Sequence, residues 1–252
     1  MRGQVIAALL FSLLPLSSVY GHFQELIPSS EAVHSPAEAT LSFDIQFTHP
    51  MARGPVMTMQ SPEAFGVVTA SGQTDLLPAL KGQPNGRFSA EYQIKSPGDH
   101  LFYLTPAPYW EPEEGVMIQH FTKVVVDAFG GEPAWDQLVG LPVEIEPLTR
   151  PYGIWQGNLF QGIVKKNGQP VPFAEVEVEW RNDGSISSVQ DPYVTQVVKA
   201  DGNGVFSYVM PKSGWWGFAA LITADKPMRN PEGVDVPVEQ GALIWIFAKP
   251  MQ

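Results

Sequence analysis

The sequence contains no cysteine. Disulfide bonds, lipid anchors attached through a cysteine, and thiolate ligands for metals are therefore all excluded. Stability has to come from the burial of apolar side chains rather than from covalent cross-links. A site for a transition metal would have to use imidazole, carboxylate, amide, thioether or amine groups instead.

Long apolar runs are also missing. The first candidate, VIAALLFSLLPL at 5–16, is shorter than the roughly 20 residues that span a bilayer, and no later stretch approaches that length. Because this run follows Arg2 and leads into small residues, it predicts a secretory signal peptide over 1–21 with cleavage after Gly21. We therefore expect a periplasmic protein without a membrane span, whose mature chain begins at His22.

Basic residues are few. The chain has 15 Lys and Arg against 26 Asp and Glu, which gives a formal net charge of −11. Such an acidic surface repels nucleic acid and anionic lipid, so we expect no nucleic-acid partner. It would raise the local concentration of cations, although acidity also serves simply to keep a secreted protein soluble.

What the sequence does contain is typical of an all-β protein. The 24 prolines and 23 glycines are scattered, and short runs of β-branched and aromatic residues lie between them. Residues 39–47 (ATLSFDIQF) alternate apolar and polar side chains, as expected for a strand with one buried face. Further strands are predicted at 64–70, 88–94, 100–105 and 118–127. The valine run in the last of these predicts a strand that is buried on both faces.

The character of the sequence changes near 149–153, where two prolines and a glycine follow a strand. We therefore predict two β-sandwich domains: residues 22–150, which would hold the functional site, and residues 151–252. The segments 162–178 and 200–211 resemble the transthyretin-like or carboxypeptidase-regulatory-like sandwich family. That resemblance implies a transthyretin-like or immunoglobulin-like second domain, a module that usually serves as a scaffold.

Within the second half, an Asn-Gly pair at 167–168 predicts a tight hairpin turn. The following strand alternates valine and tryptophan with Glu175, Glu177 and Glu179. This alternation predicts that the three glutamates form a solvent-exposed face.

Histidine is the scarce residue that matters most for function. All five histidines lie in the first half of the chain: His22, His34, His49, His100 and His120. His120 opens a strand after an acidic loop, and a lone histidine there is either a ligand or an ordinary hydrogen-bonded sheet residue. His34 lies in a polar stretch typical of a surface, and His100 follows a turn that it would cap.

His49 follows the strand at 39–47, in a loop of the kind that displays binding residues. The same loop carries Met51, Met57 and Met59. Thioether sulfur is a soft ligand suited to Cu(I), but methionine is more often a gap-filling core residue, so we favour packing for all three.

His22 has a chemistry that depends on its position. If the mature chain begins there, its α-amine, with a pKa of about 7.7–8, and its imidazole, with a pKa of about 6.5, form a chelate on a single residue. One or two further nitrogens from His49 or His120 would make a set suited to nickel, cobalt or copper rather than to calcium or magnesium. The alternative is a frayed terminal residue without a function.

Taken together, several segments resemble the DUF4198 family, which comprises secreted bacterial proteins described as periplasmic components of nickel or cobalt uptake systems. The segments are HFQELIPSS at 22–30, FTHPM at 47–51, PAPYWEP at 106–112, IQHFTKVVVDAFG at 118–130, GLPVEIEPLTRPYGIWQGNLFQG at 140–162 and MPKSGWWGFAAL at 210–221.

The resemblance implies a protein that captures Ni²⁺ or Co²⁺, with Cu²⁺ also possible, and delivers it to a membrane-embedded transporter. His22, His49 and His120 fall inside the family motifs and are the expected ligands. Glu111 lies in another such motif with Tyr109 and Trp110, as a ligand or as a neighbour that orients one. The cargo would be either a free ion or a small metal complex.

Two other functions remain open. An N-terminal histidine with a second histidine and an axial tyrosine, Tyr109 or Tyr103, would match a copper histidine brace. No other catalytic motif accompanies it, however, so we do not expect an enzyme. A glycan-binding or protein-binding module would use exposed aromatics such as Trp135, Trp215 and Trp216. Because adjacent strand residues face opposite ways, one of Trp215 and Trp216 is expected in the core.

Overall fold

The computed structural model describes residues 21–131, 133–187 and 189–251. The predicted signal peptide therefore lies outside the described residues, except for Gly21. Within these ranges the chain is almost entirely β, as its composition predicts. The helical residues form short 3₁₀ turns at Pro36–Glu38, Leu77–Ala79, Pro84–Gly86 and Asp191–Tyr193. In the described part of the chain, no helix has the length and apolar character needed to cross a membrane.

In the described residues, eleven strands precede residue 150 and ten follow it. The first eleven are β1 (Phe23–Pro28), β2 (Ala32–Val33), β3 (Thr40–Thr48), β4 (Ala64–Thr69), β5 (Gly72–Asp75), β6 (Lys81–Gly82), β7 (Phe88–Gln93), β8 (Gly98–Thr105), β9 (Tyr109–Glu111), β10 (Val116–Ala128) and β11 (Val143–Pro147). The strands predicted from alternation correspond to β3, β4, β7, β8 and β10. Nearly every residue of β10 is buried, which confirms the prediction made from its valine run.

Ten strands follow. They are β12 (Ile154–Trp155), β13 (Leu159–Lys166), β14 (Gln169–Pro170), β15 (Glu175–Trp180), β16 (Gln196–Lys199), β17 (Val205–Val209), β18 (Gly214–Thr223), β19 (Met228–Arg229), β20 (Asp235–Val236) and β21 (Val238–Lys249). The Asn-Gly turn joins β13 to β14, with φ of 50° at Asn167 and 75° at Gly168. Both positive values are those of a type I′ hairpin turn, as predicted.

One large sheet contains strands from both halves of the chain. Its main order is β16-β15-β18-β21-β10-β8-β4-β5. The last strand, β21, lies between β18 and β10 and runs parallel to β10. Smaller sheets, β1-β3-β7-β6 and β11-β13-β14 with β17 beside β13, accompany it. The final strand therefore joins elements that are far apart in the sequence.

Among the described residues, two large hydrophobic clusters fill the space between these sheets, and a smaller third cluster contains Leu101, Val125 and Tyr152. The first joins the β1-β3-β7-β6 sheet to the large sheet and includes Phe43, Phe102 and Trp245, the last of these from β21. The second, built mainly from the second half of the chain, includes Phe160 and Trp216. This is the all-β sandwich architecture that the composition predicts. The domain boundary near residue 150 stays a prediction, because the large sheet continues across it.

The two adjacent tryptophans behave as expected. Trp216 is buried in the second cluster, while Trp215 is only partly buried against the first. Neighbouring residues on β18 point to opposite faces of the sheet, which explains the difference.

The predicted glutamate face of β15 is wrong for two of its three residues. Glu175 is exposed, but Glu177 is half-buried and Glu179 is completely buried. The reason is tertiary, since the loop after β3 covers this face. The Met51 amide donates a hydrogen bond to Glu179 Oε2 at 2.9 Å, and the Thr195 hydroxyl donates one to Oε1 at 2.5 Å.

Candidate metal centre

The pairing of β1 with β3 brings His22 and His49 together. The two strands are antiparallel, and Phe23 lies opposite Thr48 in their register. His22 immediately precedes β1 and His49 immediately follows β3, so the same register extended by one residue places them face to face. Their ring centroids are 4.7 Å apart.

His120 approaches the pair from the large sheet. It lies on β10, and its ring packs edge to face against the Phe47 ring, with the two ring centroids 5.7 Å apart. The Phe47 ring also stacks on His22 at 5.5 Å. Hydrogen bonds from the Thr122 hydroxyl and the Trp245 indole to the Gln24 carbonyl anchor β1 above β10 and β21. Packing between the two sheets therefore assembles histidines from three separate elements.

The His120 imidazole is fixed in one orientation. Its Nε2 lies 3.1 Å from Glu239 Oε1, and because a carboxylate only accepts hydrogen bonds, Nε2 carries the hydrogen. The side chain is 1 % exposed, and no described residue gives its Nδ1 a hydrogen-bond partner. A buried nitrogen with an unused lone pair normally costs free energy, so such atoms are often functional.

Gly241 makes room for this ring. It lies directly opposite His120 in the parallel pairing of β10 with β21. A Cβ at position 241 would lie 2.4 Å from His120 Cδ2, which is closer than carbon atoms can approach without displacement. The absence of a side chain at this position therefore allows the imidazole to occupy its place.

Glu111 also reaches the cluster. It ends β9, and its Oε2 lies 3.4 Å from His22 Nε2. All four residues named as metal ligands from the sequence, His22, His49, His120 and Glu111, are therefore neighbours in the fold. The two histidines not expected at the site lie elsewhere: His34 is exposed, and His100 is buried with its Nδ1 3.0 Å from the Gly98 carbonyl.

Gly21 occupies one side of the cluster. His49 Nδ1 lies 3.0 Å from the Gly21 carbonyl oxygen, and the Gly21 amide donates a hydrogen bond to the Thr195 hydroxyl at 3.0 Å. Since a carbonyl only accepts, His49 carries its hydrogen on Nδ1 and its lone pair on Nε2. In the described residues, no group of three or more His, Cys, Asp or Glu side chains is arranged to hold a metal ion as it stands.

The electrostatics keep the His22 imidazole neutral. Burial, followed by the neighbouring charges of His49 and His120, lowers the pKa of His22 to about 4, although Glu239 opposes the shift. For Glu239, burial alone would raise the carboxyl pKa, but the hydrogen bond and charge of His120 and the charge of His22 outweigh it and lower the pKa. At neutral pH the site thus combines a neutral imidazole at His22 with an ionised carboxylate at Glu239.

Further carboxylates surround the histidines. Burial and then the charges of Glu239 and Glu114 raise the pKa of Glu177 to about 7. Burial and then Glu239 and Glu111 also raise the pKa of Glu114. Glu177 Oε2 is buried and receives no hydrogen bond from the described chain, and it would lie only 2.3 Å from a Cβ built on Gly21. Burial and the crowding of acidic groups thus disfavour ionisation of both carboxyls, and a cation bound nearby would offset this effect.

Sequence analysis did not identify Glu239, Gly241 or Glu177 as part of this site. The only signal for the first two is local: the polar residues Glu239 and Gln240 open a final strand that is otherwise apolar. Glu177 gave the opposite signal, because its alternation with valine indicates a solvent face. Of the three methionines near His49, Met51 packs in the second cluster and Met59 against the first, in agreement with the preference for packing.

Comparison with solved structures gives only weak likenesses. The match to the D0-D1 domain of intimin spans 90% of this chain and all of the intimin chain, at 12% identity and a TM-score of 0.26. The match to a segment of two fibronectin type III domains from chicken tenascin spans 90% of this chain and all of the tenascin segment, at 11% identity and a TM-score of 0.24. A carbohydrate-binding protein from Bacteroides uniformis, so described provisionally, covers 77% of this chain and 92% of its own, at 11% identity and a TM-score of 0.23.

No curated protein matches the chain. The sequence profile of DUF4198, described as a domain of unknown function, matches residues 19–224, which is most of the chain. The match spans His22, His49, Glu111 and His120, whereas Glu239 and Gly241 lie beyond it. The chain therefore belongs to the DUF4198 family.

Proposed function

We propose that this protein binds Ni²⁺ or Co²⁺ in the periplasm and delivers the ion to a membrane-embedded uptake transporter. His22, His49 and His120 would be the ligands, with Glu111 beside His22. The observation that carries the proposal is the state of His120: Glu239 holds its Nε2 while its buried Nδ1 has no hydrogen-bond partner among the described residues. A carboxylate bound to one ring nitrogen is the usual support for a histidine that ligates a metal through the other.

Cleavage after Gly21 would complete the site. It frees the His22 α-amine and removes the Gly21 carbonyl, which accepts the hydrogen bond from His49 in the uncleaved chain. The mature terminus would then supply two nitrogens from His22 next to the His49 ring.

The charge distribution favours a cation at this position. The His22 imidazole needs no deprotonation at neutral pH, since its pKa is lowered to about 4. Glu111 and Glu239 lie against histidines and supply negative charge. Nitrogen donors with neighbouring carboxylates suit nickel, cobalt and copper better than calcium or magnesium. Copper would bind most tightly in vitro whichever ion the cell supplies, because affinity follows the Irving–Williams order.

The second half of the chain would orient or dock the protein at its transporter. The transthyretin-like relationship inferred for residues 162–178 and 200–211 belongs to this proposal, because such modules serve as scaffolds. The binding site itself also draws on this half, since Glu239 and Gly241 come from β21.

The direct test is calorimetric titration of Ni²⁺ into two preparations of the mature protein. One preparation begins at His22, and the other carries one additional glycine before it. We expect tight binding by the first and a loss of at least about tenfold in affinity in the second, because the extra residue converts the amine into an amide.

Two variants of the first preparation serve as a matched pair. His120→Ala removes a proposed ligand, whereas His34→Ala removes an exposed histidine far from the cluster. We expect nickel affinity to fall only in His120→Ala. Equal binding by both preparations would place the site on internal histidines alone, and no binding of nickel by either preparation, as the free ion or as a chelate, would refute the proposal.

A further inference from the structure

A cavity opens directly beside His120. Its volume is about 210 Å³, and Phe47, Tyr109, Trp110 and His120 are among the residues that line it. Two of these side chains, Phe47 and His120, also belong to the histidine cluster. The cavity and the proposed metal site therefore share a wall, and a molecule in the cavity would lie next to the metal.

The cavity has the size of a small organic molecule. An apolar cavity of about 150 Å³ in another protein holds benzene, so about 210 Å³ accommodates a ring with one short substituent. It is smaller than the roughly 300–1,000 Å³ of pockets for drug-sized ligands. A bare aqua ion would leave most of this space to water.

The walls combine apolar surface with several polar side chains. Apart from the aromatic rings, Pro106, Pro108 and Ile118 contribute apolar lining, while Thr58, Gln60 and the Tyr109 hydroxyl add polar groups. The Gln24 amide also lines the cavity, but its NH₂ group already donates to the Glu25 and Gln46 carbonyls. A guest would therefore pack its ring against the walls and direct its own donor atoms toward the metal.

The surrounding charge restricts the guest further. Glu111 Oε2 lies 3.4 Å from His22 Nε2, and Glu239 Oε1 lies 3.1 Å from His120 Nε2. An anionic metal complex would be repelled by these two carboxylates, whereas a complex that retains positive charge would be attracted.

We infer that the cargo is a metal ion carried with one small heteroaromatic chelator, whose ring fills this cavity while its nitrogen and oxygen donors complete the coordination of the ion. The inference rests on the proposed function, which it makes more specific. The chelator is monoanionic or neutral, so that its complex with a divalent ion stays cationic.

The test uses pyridine-2-carboxylate as the probe and glycine as its matched control. Both are bidentate N,O chelators with one negative charge, but only the first has an aromatic ring. Mature protein beginning at His22 is titrated with nickel chloride and with the one-to-one nickel complexes of pyridine-2-carboxylate, glycine and citrate. We expect the pyridine-2-carboxylate complex to bind at least about tenfold more tightly than the glycine complex, and the anionic citrate complex not to bind.

Three variants locate the effect. Ala107→Leu fills the cavity, Trp110→Ala removes one of its walls, and Trp155→Ala removes a tryptophan of another region that is 44% exposed. The advantage of pyridine-2-carboxylate over glycine should disappear in the first two variants and persist in the third. Should Trp110→Ala fail to fold, Ala107→Leu answers the same question without removing a contact.

The outcomes separate the two proposals. If nickel alone binds but both chelators weaken its binding equally, the chelate inference is overturned and the proposed function stands. If the pyridine-2-carboxylate complex binds and nickel alone does not, the inference is supported and the ion enters only as a chelate. If no form of nickel binds, both are overturned.

Discussion

At the scale of single residues, the chemistry of this protein depends on which nitrogen of each histidine carries the hydrogen. The Glu239 carboxylate decides this for His120, and the Gly21 carbonyl decides it for His49 in the uncleaved chain. The two partners differ in one respect. Glu239 remains in the mature chain, whereas Gly21 would be removed with the predicted signal peptide.

The role of Glu239 is testable by Glu239→Gln. The amide is nearly the same size but neutral, so it orients the His120 ring less firmly and makes its Nδ1 less basic. We expect nickel affinity to fall by about 10- to 100-fold, the usual cost of losing such a partner. Calorimetry on the mature protein measures the change, and Glu232→Gln at an exposed position serves as the control. Unaltered affinity in Glu239→Gln would count against His120 as a ligand.

Glu179 gives a second prediction, which concerns stability. Burial, opposed by the hydrogen bonds from Thr195 and Met51, raises its pKa from the ordinary 4.5 to about 8. Between about pH 4.5 and pH 8, the folded protein therefore keeps a proton on Glu179 that the unfolded chain has lost. The contribution of Glu179 to stability is complete below about pH 4.5, and the free energy of unfolding should fall as the pH rises toward about 8.

Glu179→Gln should remove this dependence, because an amide has no proton to lose in that range and still forms hydrogen bonds. At pH 9 we expect the variant to be more stable than the unaltered protein by at least about 1 kcal/mol. Urea unfolding at pH 5, 7 and 9 measures the effect, with the exposed Glu175→Gln as control. Parallel stability curves for Glu179→Gln and the unaltered protein would show that Glu179 ionises freely in the fold.

At the scale of elements, strand register places the histidines. The β1–β3 register sets His22 against His49, and the β10–β21 register sets His120 against Gly241. A shift of one residue in either pair would turn the corresponding side chains to the opposite face of the sheet. The site is therefore a property of paired strands rather than of any one segment.

Gly241→Ala tests the second register. The added Cβ would force the His120 ring from its place, since the two would lie 2.4 Å apart. We expect nickel affinity to fall by about tenfold or more, because a histidine held out of position contributes little to binding. Gly82→Ala is the matched control, since the nearest atom to its Cβ is 3.9 Å away. Thermal unfolding establishes that both variants are folded, and full affinity in folded Gly241→Ala would contradict the geometry.

At the scale of the whole molecule, the last strand holds the two halves together. β21 pairs with β10 from the first half and with β18 from the second, and its Trp245 is fully buried in the first cluster. The large sheet therefore continues across the domain boundary predicted near residue 150.

The consequence is that residues 22–150 should not fold alone. Without β21, the fragment exposes the β10 edge and leaves a gap in its core where Trp245 belongs. We expect the fragment to give a poorly dispersed amide NMR spectrum and no cooperative unfolding, whereas residues 22–252 give both a dispersed spectrum and one transition. A folded fragment would instead show that the predicted boundary divides two independent units.

Features that depend on neighbouring residues along the chain could be predicted from the sequence. Alternation of apolar and polar side chains identified β3, the valine run identified the buried β10, and the Asn-Gly pair identified the turn after β13. The absence of cysteine left the five histidines as the main candidate ligands, and the resemblance to DUF4198 singled out His22, His49 and His120, with Glu111, a set that stays a prediction. The strand and turn inferences succeed because strand periodicity and turn geometry are local properties.

Features that depend on contacts between distant segments could not be predicted in this way and became visible in the folded chain. Glu179 has the same local pattern as the exposed Glu175, yet it is buried because the loop carrying Met51 covers it. Glu239 reaches His120 across 119 residues, through a parallel pairing that no periodicity reveals. Side-chain alternation specifies which residues share a face, but the choice of strand partner depends on the packing of the whole chain.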